Sequence, residues 1–413
     1  MSRWRPTTAG TGRAAAASIP PGSTIGILGG GQLGRMAALA ARPLGYGVVA
    51  LDPDPACPAL PVVDHCVTAA FDDASAAEEL ARASDVVTIE IEQVAVSSLQ
   101  AAARHAPVRP GPRVLEVVQD RARQKRWLEQ AGFPVGPYRE ASSEDELAEA
   151  MRALGRAAIV KSCRGGYDGR SQQSIEDPGG AAAAWAALGG RGSVVEERLE
   201  LQAELSVMVA RRPGGAMAVY PPALNHHAGQ VLDWSVIPAP LDPRIARDIE
   251  AIGRGIAEAL EVEGLLAVEL FLLRDGRLLV NELAPRPHNT FHHTTEACAT
   301  SQFEQAIRAV CDLPLGAVEV LRPAAVANLF GELWLSPVTP AFEQALRVPG
   351  VRLHLYGKRD ARPGRKMGHL SALGSTPEEA VERVRLARSR ITESAGRPDA
   401  AETRSGARAH RAG

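Results

Sequence analysis

Glu269 and Glu282 carry the strongest chemical signal in this 413-residue chain. They sit in the run 265–283, Leu-Leu-Ala-Val-Glu-Leu-Phe-Leu-Leu-Arg-Asp-Gly-Arg-Leu-Leu-Val-Asn-Glu-Leu. Asp275-Gly276 between apolar runs signals a hairpin with a two-residue loop. That loop makes Arg274 face Arg277, Phe271 face Val280, and Glu269 face Glu282, with Cβ atoms about 5 Å apart. Apolar neighbours on both faces predict that the hairpin is covered on both sides. Two carboxylates there are costly unless one takes a proton or a cation lies between them. Mg²⁺ suits oxygen ligands and keeps positions for phosphate oxygens. Asn289, just past the second strand, is a candidate third ligand. A register slip of one residue would instead send one glutamate to solvent.

Three further features bear on phosphate chemistry. Lys161 ends an apolar run at 157–160 and precedes the loop Ser162-Cys163-Arg164-Gly165-Gly166-Tyr167-Asp168-Gly169-Arg170-Ser171-Gln172. A lysine at a strand end offers phosphate a point charge. The glycines allow a loop that folds over the oxygens and donates N–H groups; a mobile surface loop is the alternative. Glu196 and Glu204 flank a connection between two strands, a position suited to adenine and ribose recognition, although singly they read as a solvated face. Finally, Gly29-Gly30-Gly31-Gln32-Leu33-Gly34 fits G-x-G-x-x-G after a strand, with Asp52 18 residues beyond Gly34. This could be a dinucleotide fingerprint, a seat for another anion-bearing ligand, or only a tight strand–helix turn.

The elements that must position these residues alternate in type. Runs at 24–28, 46–51 and 85–89 read as strands and 34–41 as a helix, the grammar of a parallel sheet. Residues 107–112 read as a linker, and one helix is expected from Arg113 through Arg121, Lys125 and Trp127. Hairpin-paired strands follow Lys161, giving a mixed α+β region, and a smaller unit is expected from Leu321. Residues 1–23, with Arg3, Arg5 and Arg13 and no acidic residue, read as a disordered leader, with a transit peptide as the alternative. Residues 389–413 read as a disordered tail.

Composition narrows the function classes. A net charge of −2 excludes a polycation for nucleic acid. No apolar run reaches the length of a membrane span. Five cysteines, widely spaced and without CxxC, fit a reducing cytoplasm better than a disulfide scaffold.

Taken in order, these pieces resemble the ATP-grasp superfamily, and within it the N5-carboxyaminoimidazole ribonucleotide synthetases. The resemblance runs from about Thr24 to Leu373. It rests on residues 29–36 (Gly-Gly-Gly-Gln-Leu-Gly-Arg-Met), 165–169 (Gly-Gly-Tyr-Asp-Gly), 281–289 (Asn-Glu-Leu-Ala-Pro-Arg-Pro-His-Asn), 301–303 (Ser-Gln-Phe) and 362–370 (Arg-Pro-Gly-Arg-Lys-Met-Gly-His-Leu). It implies an ATP-grasp fold of class α/β and α+β. A Rossmann-like domain would occupy 24–115, an ATP-grasp domain 116–320 and a small C-terminal domain 321–388. It also implies a homodimer. Arg121, Lys161, Gly166, Tyr167, Asp168, Gly169, Arg170, Ser171, Gln172, Glu196, Glu197, Arg198, Leu199, Glu204, His227, Asn281 and Glu282 would line the ATP site. Glu269 and Glu282 would hold Mg²⁺. Gln32, Leu33, Arg286, His288, Asn289, Lys358, Arg365 and Lys366 would hold aminoimidazole ribonucleotide. Lys161, Tyr167, Asp168, Arg286, His288 and Asn289 would act in catalysis, with His288 and Asp168 as candidate bases.

The implied reaction joins ATP, bicarbonate and the ribonucleotide through carboxyphosphate, with neither nucleic acid nor membrane as partner. Thr290 and Phe291 stand where the family has Ser-Gly, so a bulky ring is expected to alter the backbone beside the substrate phosphate. The enzymatic rivals are a formate-dependent glycinamide ribonucleotide transformylase and a dehydrogenase; a nucleotide binder without turnover is the other. His288, His292 and His293 could suggest zinc, but prolines flank them and no HExxH is present.

Overall fold

The computed structural model describes residues 18–155, 157–165, 171–337 and 339–393. Strands β1 (Thr24–Leu28), β2 (Gly47–Asp52), β3 (His65–Thr68) and β4 (Val86–Ile89) form a parallel sheet in the order β3-β2-β1-β4. Helices Gln32–Ala41, Ala74–Arg82 and Val96–Ala102 pack around it. The runs 25–28 and 47–51 carry no polar side chain because the central strands are buried. Leu28 aligns with Leu51 on one side and Ile89 on the other, so the chain switches direction beside the carboxyl end of β1. Open α/β sheets bind ligands at such a point, and the glycine turn lies there.

The single helix expected from Arg113 is two, Pro112–Val118 and Arg121–Gln130. Asp120 breaks the run: it caps the second helix by accepting the Arg123 N–H at 3.1 Å. The stretch read as a linker is partly strand-like, since Val108 bridges Val87.

A second sheet is antiparallel, in the order β5-β8-β6-β7, from β5 (Tyr138–Ala141), β6 (Ala158–Ser162), β7 (Gln172–Ile175) and β8 (Ser193–Glu197). The third holds β9 (Leu201–Arg211), β10 (Met217–Val219), β11 (Ala223–Ala228), β12 (Val231–Ile237), β13 (Gly264–Leu273), β14 (Leu278–Ala284), β15 (Ala324–Phe330), β16 (Val351–Leu355) and β17 (Lys366–Leu373). Its order is β14-β13-β9-β11-β12-β15-β17-β16, with β10 on β9. The strands after Leu321 therefore extend the sheet of the middle region through the β12–β15 pairing.

Helix Pro243–Ala259 covers β9 and β13. Asp242 caps it, Pro243 opens it, and Ile249, Ile256 and Leu260 recur on its inner face. Burying each such side chain contributes roughly 1.5–3 kcal/mol. Gly253 lets the helix approach, since a Cβ there would lie 2.7 Å from Val207. The last helix, Pro377–Glu393, continues past Ser389, where a disordered tail was expected to begin. Residues 1–17 and 394–413 lie outside the described residues. No described helix is long and apolar enough to cross a membrane.

Candidate active site

The β13–β14 hairpin brings the two glutamates together by a different route from the one expected. Gly276, at φ +83°, donates to Leu273 O at 2.9 Å, and Leu273 N–H donates to Arg277 O at 2.9 Å. The loop is thus three residues, Arg274, Asp275 and Gly276, with glycine in the left-handed position. Phe271 consequently faces Leu279, not Val280. One extra residue, Asn281, then bulges from β14 and restores Glu269 opposite Glu282. A bulge re-aims side chains. Asn281 accepts from Lys161 Nζ at 3.1 Å through Oδ1 and donates to Glu269 Oε2 at 3.3 Å through Nδ2.

Burial, then the facing Glu282, pushes the Glu269 carboxyl above its ordinary range. Two adjoining carboxylates fit one divalent cation. Among the described residues no third Asp, Glu, His or Cys completes a metal-binding group. That donor set suits Mg²⁺, which leaves its other positions to water and phosphate. Asn289, the expected third ligand, has its amide oxygen on His292 Nε2 at 3.0 Å; the amide that touches Glu269 belongs to Asn281.

A positive cradle adjoins the pair. Lys161 Nζ lies 3.1 Å from Glu196 Oε2, and Lys125 Nζ lies 3.3 Å from Glu196 Oε1. All three groups are buried. Burial works against the Glu196 charge, but the lysines outweigh it and hold the carboxyl below its ordinary value. Burial lowers the Lys125 pKa. Glu196, read singly as part of a solvated face, is instead a buried counterion. Lys125 entered the sequence reading only as a helix residue, because its partner Glu196 lies far along the chain.

The other expected nucleotide contacts surround this cradle. Arg121 opens its helix beside Glu282, 3.7 Å away, and donates to Ser162 O at 3.0 Å. Glu204 pairs with His227 at 2.8 Å; burial opposes the His227 charge, but Glu204 and Glu269 leave its pKa raised. Gln172 faces Lys161 across the β6–β7 hairpin, and Ser171 O accepts the Ser162 N–H at 2.9 Å. Glu197 ends β8, and Leu199 packs beside Gly136 in the connection to β9. Arg198 is exposed and pairs with Glu176. Gly166, Tyr167, Asp168, Gly169 and Arg170 lie outside the described residues.

The glycine turn is filled by the protein itself. Asp52 Oδ2 accepts the Gly30 N–H at 2.7 Å. Glu90 accepts from Gly31 at 3.0 Å and Gly34 at 2.8 Å, one through each oxygen. A Cβ on Gly31 would lie 2.4 Å from Glu90 Oε1, and one on Gly34 2.4 Å from Gly29 O. The glycines therefore serve a tight turn closed by a buried carboxyl, and the N–H groups a dinucleotide pyrophosphate would use are engaged. Asp52 caps this turn instead of awaiting a ribose. Burial pushes the Glu90 carboxyl up to about 7 despite these donors and Arg286.

Beside the turn opens a cavity of about 350 Å³. Gln32, Leu33, Arg286, Lys358, Arg365 and Lys366, six residues the resemblance implies, all line it. Arg286 also pairs with Glu92 at 2.8 Å. A larger cavity of about 670 Å³ lies beside the C-terminal helix and gathers none of the predicted residues; there Asp233 and Arg388 neutralise each other at 2.5 Å.

His288 stands beside the glutamate pair, its Nε2 lying 3.6 Å from Glu269 Oε1. Burial, then the Arg286 and Lys366 charges, lowers its pKa well below the ordinary value, so the ring is neutral. A hydrogen-bonded chain reaches its ring. Asn225 Nδ2 donates to Ser206 Oγ at 3.2 Å, Ser206 donates to Thr290 Oγ1 at 3.0 Å, and Thr290 Oγ1 lies 2.9 Å from His288 Nδ1. Phe291 does not approach the cavity. It is fully buried among Met208, Ala223 and Ala297 and packs on Tyr220, with centroids 6.1 Å apart. Gln302 clamps His288, accepting its N–H at 2.8 Å and donating to its carbonyl at 2.9 Å. The string 301–303 held that signal, but sequence alone gave Gln302 no role.

Comparison with known proteins matches three stretches of the chain to family models. Residues 23–119 match the ribonucleotide synthetase preATP-grasp domain, 126–303 the ATP-grasp domain, and 324–383 the phosphoribosylaminoimidazole carboxylase C-terminal domain. The chain is 42% identical to an N5-carboxyaminoimidazole ribonucleotide synthase of Brucella melitensis, over 86% of this chain and 98% of that one. It is 38% identical to one from Bacillus subtilis, over 89% and 95%. Among solved structures, an Aspergillus clavatus N5-carboxyaminoimidazole synthase in complex with ADP and 5-aminoimidazole ribonucleotide superposes with a TM-score of 0.83 at 31% identity, covering 90% of this chain and 98% of that one.

Proposed function

The chain belongs to the N5-carboxyaminoimidazole ribonucleotide synthase family, and from that premise we propose that it carboxylates the exocyclic amine of 5-aminoimidazole ribonucleotide, using ATP and bicarbonate, in de novo purine biosynthesis. One observation carries the reading. The facing glutamates reach a lysine cradle through Asn281 on one side and on the other adjoin His288, which feels the charges of Arg286 and Lys366 in the cation-lined cavity.

Bicarbonate would attack the γ-phosphorus of ATP to give carboxyphosphate and ADP, and the amine would then capture its carbon and release phosphate. Lys161, oriented by Glu196 and Asn281, offers its charge to the transferring phosphoryl oxygens. Arg121 adds a second cation nearby. Glu269 and Glu282 would hold Mg²⁺, which when bound offsets phosphate charge. Arg286, Lys358, Arg365 and Lys366 bind the ribonucleotide, with arginine forks suited to its phosphate. His288, held by Thr290 at Nδ1 and facing Glu269 through Nε2, stands beside the reacting groups as a candidate base. The homodimer rests on the resemblance, and a solution mass of twice the chain would support it. Cysteine usage supports a cytoplasmic location.

The test is ADP release with ATP, bicarbonate and aminoimidazole ribonucleotide, omitting each in turn. Release should require all three. Formate with glycinamide ribonucleotide should give none, and turnover with that pair would replace this reading with the transformylase one.

A further inference from the structure

Cys57 and Cys66 stand apart from every role assigned above. Cys57 lies in the loop after β2, and Cys66 is the second residue of β3. Their sulfurs are 3.7 Å apart. Cys57 is buried, whereas Cys66 is partly exposed, so a small oxidant can reach one sulfur while the other waits beside it.

Cys57, with Cys66 beside it, backs the glycine turn whose Gly31 lines the cation-lined cavity. A Cβ on Gly30 would fall 2.5 Å from Cys57 Sγ, so this thiol packs directly on the glycine turn. The same loop holds that turn through Ala59 N–H to Gly30 O at 2.8 Å. Arg35 secures it by donating to Pro58 O at 3.0 Å. Asp54 and Pro58, flanking Cys57, line the cavity themselves. A disulfide bond is about 2.05 Å long, so forming one draws the sulfurs together by more than 1 Å and moves this loop.

We propose that Cys57 and Cys66 are a reversible oxidation site, closing to a disulfide with a peroxide and thereby reshaping the cavity wall beside Gly30. In the first step one sulfur attacks a peroxide oxygen. The O–O bond breaks, leaving a sulfenic acid and one water. The second sulfur then attacks the first, the S–O bond breaks, and the departing hydroxide takes the second thiol proton as water. Two thiols thus lose two electrons and two protons, and hydrogen peroxide becomes two waters. A dithiol reductant reverses the bond by exchange.

The effect on substrate rests on the function proposed above; the bond itself does not. The full chain is reduced, desalted, treated with hydrogen peroxide and alkylated. Proteolytic cleavage before Asp64 should leave the Cys57 and Cys66 fragments joined, unalkylated and two hydrogens lighter than their sum, and dithiothreitol should separate them. The oxidised enzyme should show at least a threefold higher KM for aminoimidazole ribonucleotide, with the KM for ATP little changed. C66S should keep the kinetics of the reduced enzyme and resist peroxide. Alkylation of both cysteines after peroxide, irreversible sulfinic acid at Cys66, equal sensitivity in C66S, or a bond that leaves the ribonucleotide KM unchanged would each overturn the proposal. If the reduced enzyme fails to use the ribonucleotide at all, the function is refuted, while the fragment masses still decide the disulfide.

Discussion

Replacing Glu196 with Gln removes the carboxylate that bridges Lys125 and Lys161. The two lysine side chains are 4% and 11% exposed, and each ammonium sits 3.1–3.3 Å from a Glu196 oxygen. Removing one partner of a buried ion pair costs about 3–5 kcal/mol, because the other charge stays buried without compensation. Here two ammonium groups are left facing each other. Burial already lowers the Lys125 pKa, so loss of its proton relieves part of the strain. E196Q should therefore lose about 3–5 kcal/mol by urea unfolding. Adding K125M should return a large part of it, since that change removes a buried charge and keeps the volume. The pH dependence follows from the lowered Glu196 pKa. The stabilisation is fully present above the unfolded-chain value near pH 4.3 and is lost as pH falls through the lower folded value. Wild type and E196Q should converge in that acid range. An E196Q protein within about 1 kcal/mol of wild type, or a K125M effect that only adds to the loss, would refute the buried-counterion argument.

Other outcomes are expected from the site. E269Q and E282Q should each abolish turnover while near-UV circular dichroism stays native, and near-normal rate in either would remove the metal role. Arg365 lines the cavity and donates to Asp360 O at 2.6 Å; R365A should cost on the order of 2–4 kcal/mol in kcat/KM for the ribonucleotide with little change for ATP, by steady-state kinetics with each substrate varied. Q302L removes both clamps on the His288 backbone and should lower kcat/KM for the ribonucleotide on the order of 10–100-fold, the equivalent of one to two lost hydrogen bonds, with ATP KM unmoved. Glu90, held up to about 7 in the fold, contributes stability that is full below the ordinary carboxylate range and lost as pH rises through 7. E90Q should flatten that slope in thermal unfolding curves.

Legibility in the sequence followed burial. β1 was readable to the residue, because a buried central strand is a continuous apolar run. The edge strand β3 was not, since His65 and Thr68 are exposed and leave no apolar run. The helix break at Asp120 was missed because helical composition persists across it, while the cap depends on one side chain turning back to a backbone N–H. The burial of Glu196 is hidden in the sequence for a longer-range reason. A glutamate reads as exposed until its lysines arrive from a helix and a strand elsewhere in the chain. The ribonucleotide residues, all but Lys358, lie in matched strings, and six of the eight line one cavity, His288 and Asn289 being the two that do not.

The facing glutamates show how a correct pairing can rest on two local errors that cancel. Asp275-Gly276 signals a tight turn, but the same dipeptide serves a two-residue loop or the last two positions of a three-residue loop with glycine left-handed. The structure takes the second option, and the register shifts by one. Left there, Glu269 and Glu282 would slip out of register. The bulge at Asn281 shifts it back, and the bulged residue becomes the one that contacts Lys161 and Glu269 together. Regular pairing could align two carboxylates without any bulge. It could not also turn the residue between two strand positions onto the same site. The irregularity therefore gives the site a third polar group from one strand end, and it lies where alternation rules stop applying.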